Sequence, residues 1–131
     1  MDSIPKLYLE NEKLTAITLD TNVVIFFGEK REFKLRILEE DFIVSLGKLG
    51  KPMIVHFSAW STPPKNVTGV SSLPPLINQR VTSAGISDTG ELTIHFDDES
   101  SLSVRPGGTD EAYTFVGAGQ IIVCNGDGTI S

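Results

Sequence analysis

The residues of this sequence best suited to chemistry are two histidines and a single cysteine. His56 and His95 could serve as general bases, and the thiol of Cys124 could act as a nucleophile. Both histidines lie within strand-like runs, however, and Cys124 ends the apolar run that begins at Ile121. These settings predict structural histidines and a buried, inert thiol. The sequence therefore predicts no catalytic residues, and we do not expect the protein to be an enzyme.

The sequence contains only incomplete versions of metal-binding and nucleotide-binding motifs. One cysteine and two distant histidines lack the paired ligand spacing of a zinc site. The run Asp97-Asp98-Glu99 lacks the spaced acids and the central glycine of a calcium-binding EF-hand loop. The Gly117-Ala118-Gly119 segment lacks the third glycine and the following helix of a nucleotide-binding loop. We therefore expect neither a metal nor a cofactor.

Composition narrows the classes of partner. The chain has 131 residues, of which 40% are hydrophobic, and this predicts one domain spanning 1–131. Seventeen acids against eleven bases give a net charge of -6, which argues against binding to nucleic acid or to an anionic membrane. The apolar runs are far shorter than a bilayer-spanning helix, and the first ten residues contain no apolar signal segment. With a single cysteine, these features predict a cytoplasmic protein.

The elements that must position any site are strands, because apolar and polar residues alternate along most of the chain. The clearest example is a hairpin in which Leu92, Ile94 and Phe96 alternate with polar residues after a turn at 88–90. About nine short strands of this kind predict an all-β fold: an antiparallel sandwich, a roll or a partly open barrel. The strand order stays open at this level.

The segment 58–75 departs from this pattern and predicts a long loop, since it holds four of the seven prolines. Near its end, the spacing is compatible with one short helix near residues 73–79. Pro74 and Pro75 would lie in its first turn, with Ser71 or Ser72 as the cap.

Acidic residues concentrate in the turns of the second half of the chain. Residues 81–131 carry eight acids and one base, whereas residues 1–80 carry nine acids and ten bases. Aspartate is common in turns, and charges protect sheet edges, so this pattern has a purely structural explanation. The alternative is a surface for a basic partner, provided that the turns meet on one rim of the fold.

A specific resemblance favours the second explanation. The segment 89–98 (TGELTIHFDD), followed by Leu102-Ser103-Val104 and then Asp110-Glu111-Ala112-Tyr113, resembles small all-β immunity proteins of bacterial polymorphic and contact-dependent toxin systems. Their hairpin commonly reads Gly-x-Leu-x-Ile/Leu-x-Phe-Asp-Asp-Gly, and here Glu99 occupies the place of the final glycine. The resemblance covers roughly residues 81–124 and the opening strands more loosely.

The resemblance implies a protein that binds and neutralises a cognate bacterial toxin in the cytosol during competition between bacteria. Such an inhibitor would block the active site or the substrate entry of a basic, nucleic-acid-targeting toxin, and its acids would speed the association. The implied contacts combine five acids with two aromatic anchors. They are Asp97, Asp98, Glu99, Asp110, Glu111, Trp60 and Tyr113.

Other function classes stay open on the residues alone. One is a small β-barrel or sandwich that binds a ligand or peptide without catalysis, with Thr15, Thr18 and His56 as candidate polar lining. Another is an enzyme that uses Asp97 and Glu111 as a carboxylate pair. The third is an assembly subunit that associates through a sheet edge.

Overall fold

A computed structural model describes residues 7–48, 50–58, 67–108 and 110–131. Within these ranges the chain forms eleven strands and two single-turn 3-10 helices, Val70–Ser72 and Pro74–Leu76. The strands are β1 (Leu14–Leu19), β2 (Val23–Phe27), β3 (Phe33–Ile37), β4 (Asp41–Ser45), β5 (Met53–Phe57), β6 (Val67–Thr68), β7 (Val81–Ile86), β8 (Leu92–Phe96), β9 (Ser101–Val104), β10 (Glu111–Gly117) and β11 (Gln120–Asn125). The all-β prediction is confirmed.

The strands form two antiparallel sheets, which make a sandwich and not a closed barrel. The five-stranded sheet has the order β1-β2-β3-β10-β11, and the six-stranded sheet has the order β6-β5-β4-β9-β8-β7. The chain passes from one sheet to the other after β3 and again after β9. Both crossings lie at the same end of the sandwich, because the end of β3 pairs with the start of β10 while the start of β4 adjoins the end of β9.

The alternation of the sequence places one face of each sheet in a shared apolar core. In β8, Leu92, Ile94 and Phe96 are buried while His95 is exposed, as predicted. The core of the five-stranded sheet is built in the same way, with Leu35 and Phe115 directly opposite each other and both fully buried. Burial of these side chains is the main favourable contribution to folding.

The predicted short helix is present, but it is a pair of 3-10 turns. Pro74 and Pro75 occupy the first positions of the second turn, which closes with a hydrogen bond from the amide of Ile77 to the carbonyl oxygen of Pro74. The predicted serine cap is wrong: Leu73 occupies the cap position, and the hydroxyl of Ser72 donates to the carbonyl oxygen of Gly69. The helix does not continue toward Gln79, because Asn78 turns left-handed and its amide pairs with the carbonyl oxygen of Leu14.

The turn between β8 and β9 keeps the geometry that a glycine would favour. Glu99 has a φ of 70°, in the left-handed region, at the position where the resembling hairpins carry glycine. Two hydrogen bonds hold the turn: the amide of Glu99 donates to the carbonyl oxygen of Phe96, and the amide of Ser100 donates to Oδ1 of Asp98. The absence of glycine therefore leaves the turn conformation in place, but with a strained residue.

Replacement of Glu99 by glycine is expected to stabilise the protein. Removal of the side chain relieves a left-handed conformation that costs about 1 kcal/mol for an L-residue, less the entropy that glycine gains in the unfolded chain. Thermal unfolding should show a rise of about 2–4 °C. The control is Asp98→Gly, which removes the Oδ1 acceptor and should lower the midpoint, whereas a fall for Glu99→Gly would contradict the assigned strain.

Candidate functional site

Two crossings between the sheets enclose an acidic cleft at one end of the sandwich. The cleft has a volume of about 340 Å³, and five carboxylates line it together with Leu38, Gly107 and Gly108. The carboxylates, which we call the acidic cleft residues, are Glu39, Glu40, Asp41, Asp110 and Glu111. No lysine, arginine or histidine is among the described residues that line this cleft.

Backbone hydrogen bonds fix the two crossings side by side. The amides of Leu38 and Glu39 both donate to the carbonyl oxygen of Ala112, at 2.9 and 3.0 Å, where a bulge interrupts the pairing of β10 with β11. The carboxylate of Glu39 folds over the second crossing and accepts the amide of Gly108 at 3.1 Å. The two crossings, which carry these acids, are therefore held side by side by hydrogen bonds to the main chain.

A third segment, the turn that follows β11, packs against the second crossing. The backbone of Gly126 lies against the carbonyl oxygens of Gly108 and Asp110, so closely that a Cβ at this position would overlap both. In the turn that follows, the carboxylate of Asp127 accepts the hydroxyl and the amide of Thr129 at 2.7 and 3.0 Å. These two hydrogen bonds hold the pKa of Asp127 below its usual range.

The structure brings only part of the predicted partner-binding set together. Asp110 and Glu111 lie in the cleft, and both are exposed. Asp97, Asp98 and Glu99 lie in the turn at the opposite end of β9, beside the amide of Arg80, which donates to Oδ1 of Asp97. The length of β9, about 13 Å at ~3.3 Å per residue, separates the two groups, so Asp97 and Glu111 do not form a carboxylate pair.

The prediction that Tyr113 anchors a partner needs correction. Tyr113 is fully buried between the sheets, and its hydroxyl donates to the carbonyl oxygen of Gly90 at 2.8 Å. Burial raises the pKa of its hydroxyl well above the usual range. Its side chain therefore belongs to the core, because a hydroxyl that finds a partner inside the protein lets a large aromatic ring be fully buried.

Of the other residues that the sequence singled out, Cys124, Thr18 and His56 lie within the described part of the chain. Trp60 lies outside the described residues. Cys124 is buried, as predicted, and burial raises the pKa of its thiol. Thr18 is exposed and His56 lies on the outer face of the six-stranded sheet, where its Nδ1 is 2.8 Å from Oδ1 of Asp41, so these two do not line the interior.

Sequence reasoning missed the half of the cleft that comes from the first crossing. Glu39, Glu40 and Asp41 are three consecutive acids that end with the first residue of β4, and this run was the available signal. Charge counting over the first eighty residues does not reveal this acidic run, because nine acids and ten bases make that half of the chain nearly neutral. The cleft thus combines three acids of the first half of the chain with two of the second.

An apolar groove adjoins the acidic cleft and shares Glu39 and Asp41 with it. This groove has a volume of about 350 Å³ and lies on the outer face of the six-stranded sheet. Its apolar part is the cross-strand pair of Ile43 and Ile54, which are 41% and 63% exposed. The cleft and the groove together form the candidate site: a concentration of negative charge next to exposed aliphatic surface.

A family model matches residues 5–131 and is described as a family of unknown function, DUF6188. The chain belongs to this family. No curated protein and no solved structure matches the DUF6188 chain. Among its described residues, no helix is long and apolar enough to cross a membrane, and no group of three or more histidine, cysteine, aspartate or glutamate side chains has an arrangement that could hold a metal ion.

Proposed function

We propose that the protein is a stoichiometric inhibitor that binds a basic partner protein at the acidic cleft. The observation that carries the proposal is that five carboxylates and no base are among the described residues that line one cleft at the meeting point of two crossings. His56, which contacts Asp41, lies outside this lining, on the outer face of the six-stranded sheet. A cationic partner would meet several carboxylates at once in this cleft, which favours its binding electrostatically. The negative potential also speeds the encounter with such a partner.

The resemblance of residues 81–124 to bacterial immunity proteins suggests what kind of partner this is. A toxin that degrades nucleic acid needs a basic surface to hold its substrate. An inhibitor with clustered carboxylates would occupy that surface in place of the phosphates, in the cytoplasm, and without catalysis of its own. The contact residues in this proposal are Glu39, Glu40, Asp41, Asp110 and Glu111.

Co-expression with the adjacent open reading frame tests this proposal. When the neighbouring gene product alone stops growth, co-expression of this chain should restore growth, and the two proteins should co-purify as a complex that weakens with salt. A variant with Asp110→Lys and Glu111→Lys should fail in both assays. Rescue by that variant at the same protein level would contradict the role of the cleft.

The groove favours a second candidate, a module that binds peptides without neutralising a toxin. Exposed Ile43 and Ile54 beside charged side chains are features of sites that recognise extended segments. Growth assays separate the two candidates, because a peptide-binding module would form complexes without protecting cells from a toxic neighbour.

A further inference from the structure

The outer face of the six-stranded sheet carries one exposed aliphatic pair in otherwise polar surroundings. Ile43 of β4 lies directly opposite Ile54 of β5 on one side and Ser103 of β9 on the other. Ser103 in turn pairs with Thr93 of β8. Two large aliphatic side chains left in water at the centre of a groove are unfavourable for the free protein, and a partner that covers them gains the free energy of their burial.

A row of charged side chains lies beside this pair, on the side of the acidic cleft. His56 and Asp41 are in contact at 2.8 Å, and Arg105 and Glu91 are in contact at 3.2 Å. With Glu39, the charged residues that line the groove are three acids and one base. The groove is therefore negative on the side next to the cleft and aliphatic on the other side.

The spacing of these features matches an extended chain. Asp41 and Ile43 lie two residues apart on the same face of β4, which corresponds to about 7 Å along the strand. Alternate side chains of an extended peptide repeat at the same distance. A segment that lies along β4 can therefore place one apolar side chain over Ile43 and Ile54 and a basic side chain, two residues away, next to Asp41.

We propose that the groove binds an extended segment of the basic partner that carries a large apolar residue and a lysine or arginine two positions apart. This inference rests on the proposed function and deepens it by defining the recognised segment. The apolar residue contacts the Ile43–Ile54 pair, the first basic residue faces Asp41, and further alternate basic residues extend into the acidic cleft. Charge complementarity and the two-residue period together specify this occupant.

Two peptides of identical composition test the inference on the isolated protein. The first has alternating spacing, Ac-Thr-Leu-Thr-Arg-Thr-Arg-Thr-NH2, and the second groups the same residues as Ac-Thr-Thr-Arg-Leu-Arg-Thr-Thr-NH2, in which neither arginine lies two positions from the leucine. In an NMR titration, the alternating peptide should shift the amide signals of β4, β5 and β9. It should bind about fivefold more tightly than the grouped peptide, because its leucine and both arginines lie on the same face and can contact the groove together.

Matched variants localise the binding. Ile54→Ser should weaken binding of the alternating peptide about fivefold or more, since the aliphatic pair is lost. Ile121→Ser removes a similarly exposed isoleucine, 72% exposed against 63% for Ile54, from a strand of the other sheet and should leave the binding unchanged. Equal affinity for the two peptides, an equal effect of both variants, or shifts confined to other strands would overturn the inference.

The same variants separate this inference from the proposed function. Partner binding that survives Ile54→Ser but is lost with Asp110→Lys and Glu111→Lys would refute the groove inference and leave the inhibitor proposal standing. Selective binding of the alternating peptide, together with failure of the co-expression assay, would support the groove and overturn the inhibitor proposal.

Discussion

Replacement of Gly90 by alanine should lower the thermal midpoint by about 10 °C or more. Gly90 has a φ of 86°, and a Cβ there would lie 2.6 Å from the carbonyl oxygen of Gly128 and 3.0 Å from the Sγ of Cys124. The left-handed conformation costs about 1 kcal/mol, and displacement of a packed backbone adds about 2 kcal/mol.

The effect is large because Gly90 connects the two sheets. It precedes β8 of the six-stranded sheet, while the backbone of Gly128 belongs to the turn that follows β11 of the five-stranded sheet. The carbonyl oxygen of Gly90 also accepts the hydroxyl of Tyr113. A displacement of this turn would therefore disturb a buried hydrogen bond as well as the packing of two backbones.

Gly119→Ala is the matched control. Gly119 has a φ of 76°, and no atom outside its chain neighbours lies within 4 Å of a Cβ built at this position. This variant isolates the conformational penalty, about 1 kcal/mol, and should lower the midpoint by only about 3–5 °C. Equal effects of the two substitutions on the free energy of unfolding would show that the contact between Gly90 and Gly128 contributes nothing.

The fold was predictable from the sequence because its strongest signal is local. Alternation in Leu92 to Phe96 identifies a strand and its buried face within five residues, and the same rule puts Ile43 on the face opposite Phe42 and Val44. Strand order could not be predicted in this way, because the pairings of β3 with β10 and of β4 with β9 join residues more than fifty positions apart. No local period specifies such partners.

The candidate site was only partly predictable for the same reason. The acids of the second half stand out by composition, but only the topology shows that Asp110 and Glu111 meet Glu39 to Asp41, whereas Asp97 to Glu99 lie at the other end of β9. Tyr113 was misjudged because a tyrosine next to acids has the composition of an exposed contact. What decides its position is the carbonyl oxygen of Gly90, which gives its hydroxyl a buried partner.

Charge reversal in the cleft should slow association with a basic partner about tenfold or more at low salt, with a smaller effect on dissociation. The double variant Asp110→Lys and Glu111→Lys replaces two of the five carboxylates that line the cleft with cations. Because both side chains are exposed, the variant should fold. Stopped-flow measurements with the co-purified partner compare the association rates of the variant and the unmodified protein. Hexalysine serves as a cationic probe for comparing their equilibrium binding.

The control must separate local charge from net charge. Glu29→Lys and Glu99→Lys make the same change in net charge on exposed residues at the opposite end of the sandwich, where Gly28 contacts Lys13 and the β8–β9 turn contacts Arg80. Steering by a focused field depends on the position of the charges, so this control should slow association much less and keep a steep salt dependence. Equal slowing by both double variants would show that only the overall charge of -6 attracts the partner. A greater effect of the Glu29→Lys and Glu99→Lys variant would indicate that the partner binds at the opposite end of the sandwich, near the β8–β9 turn.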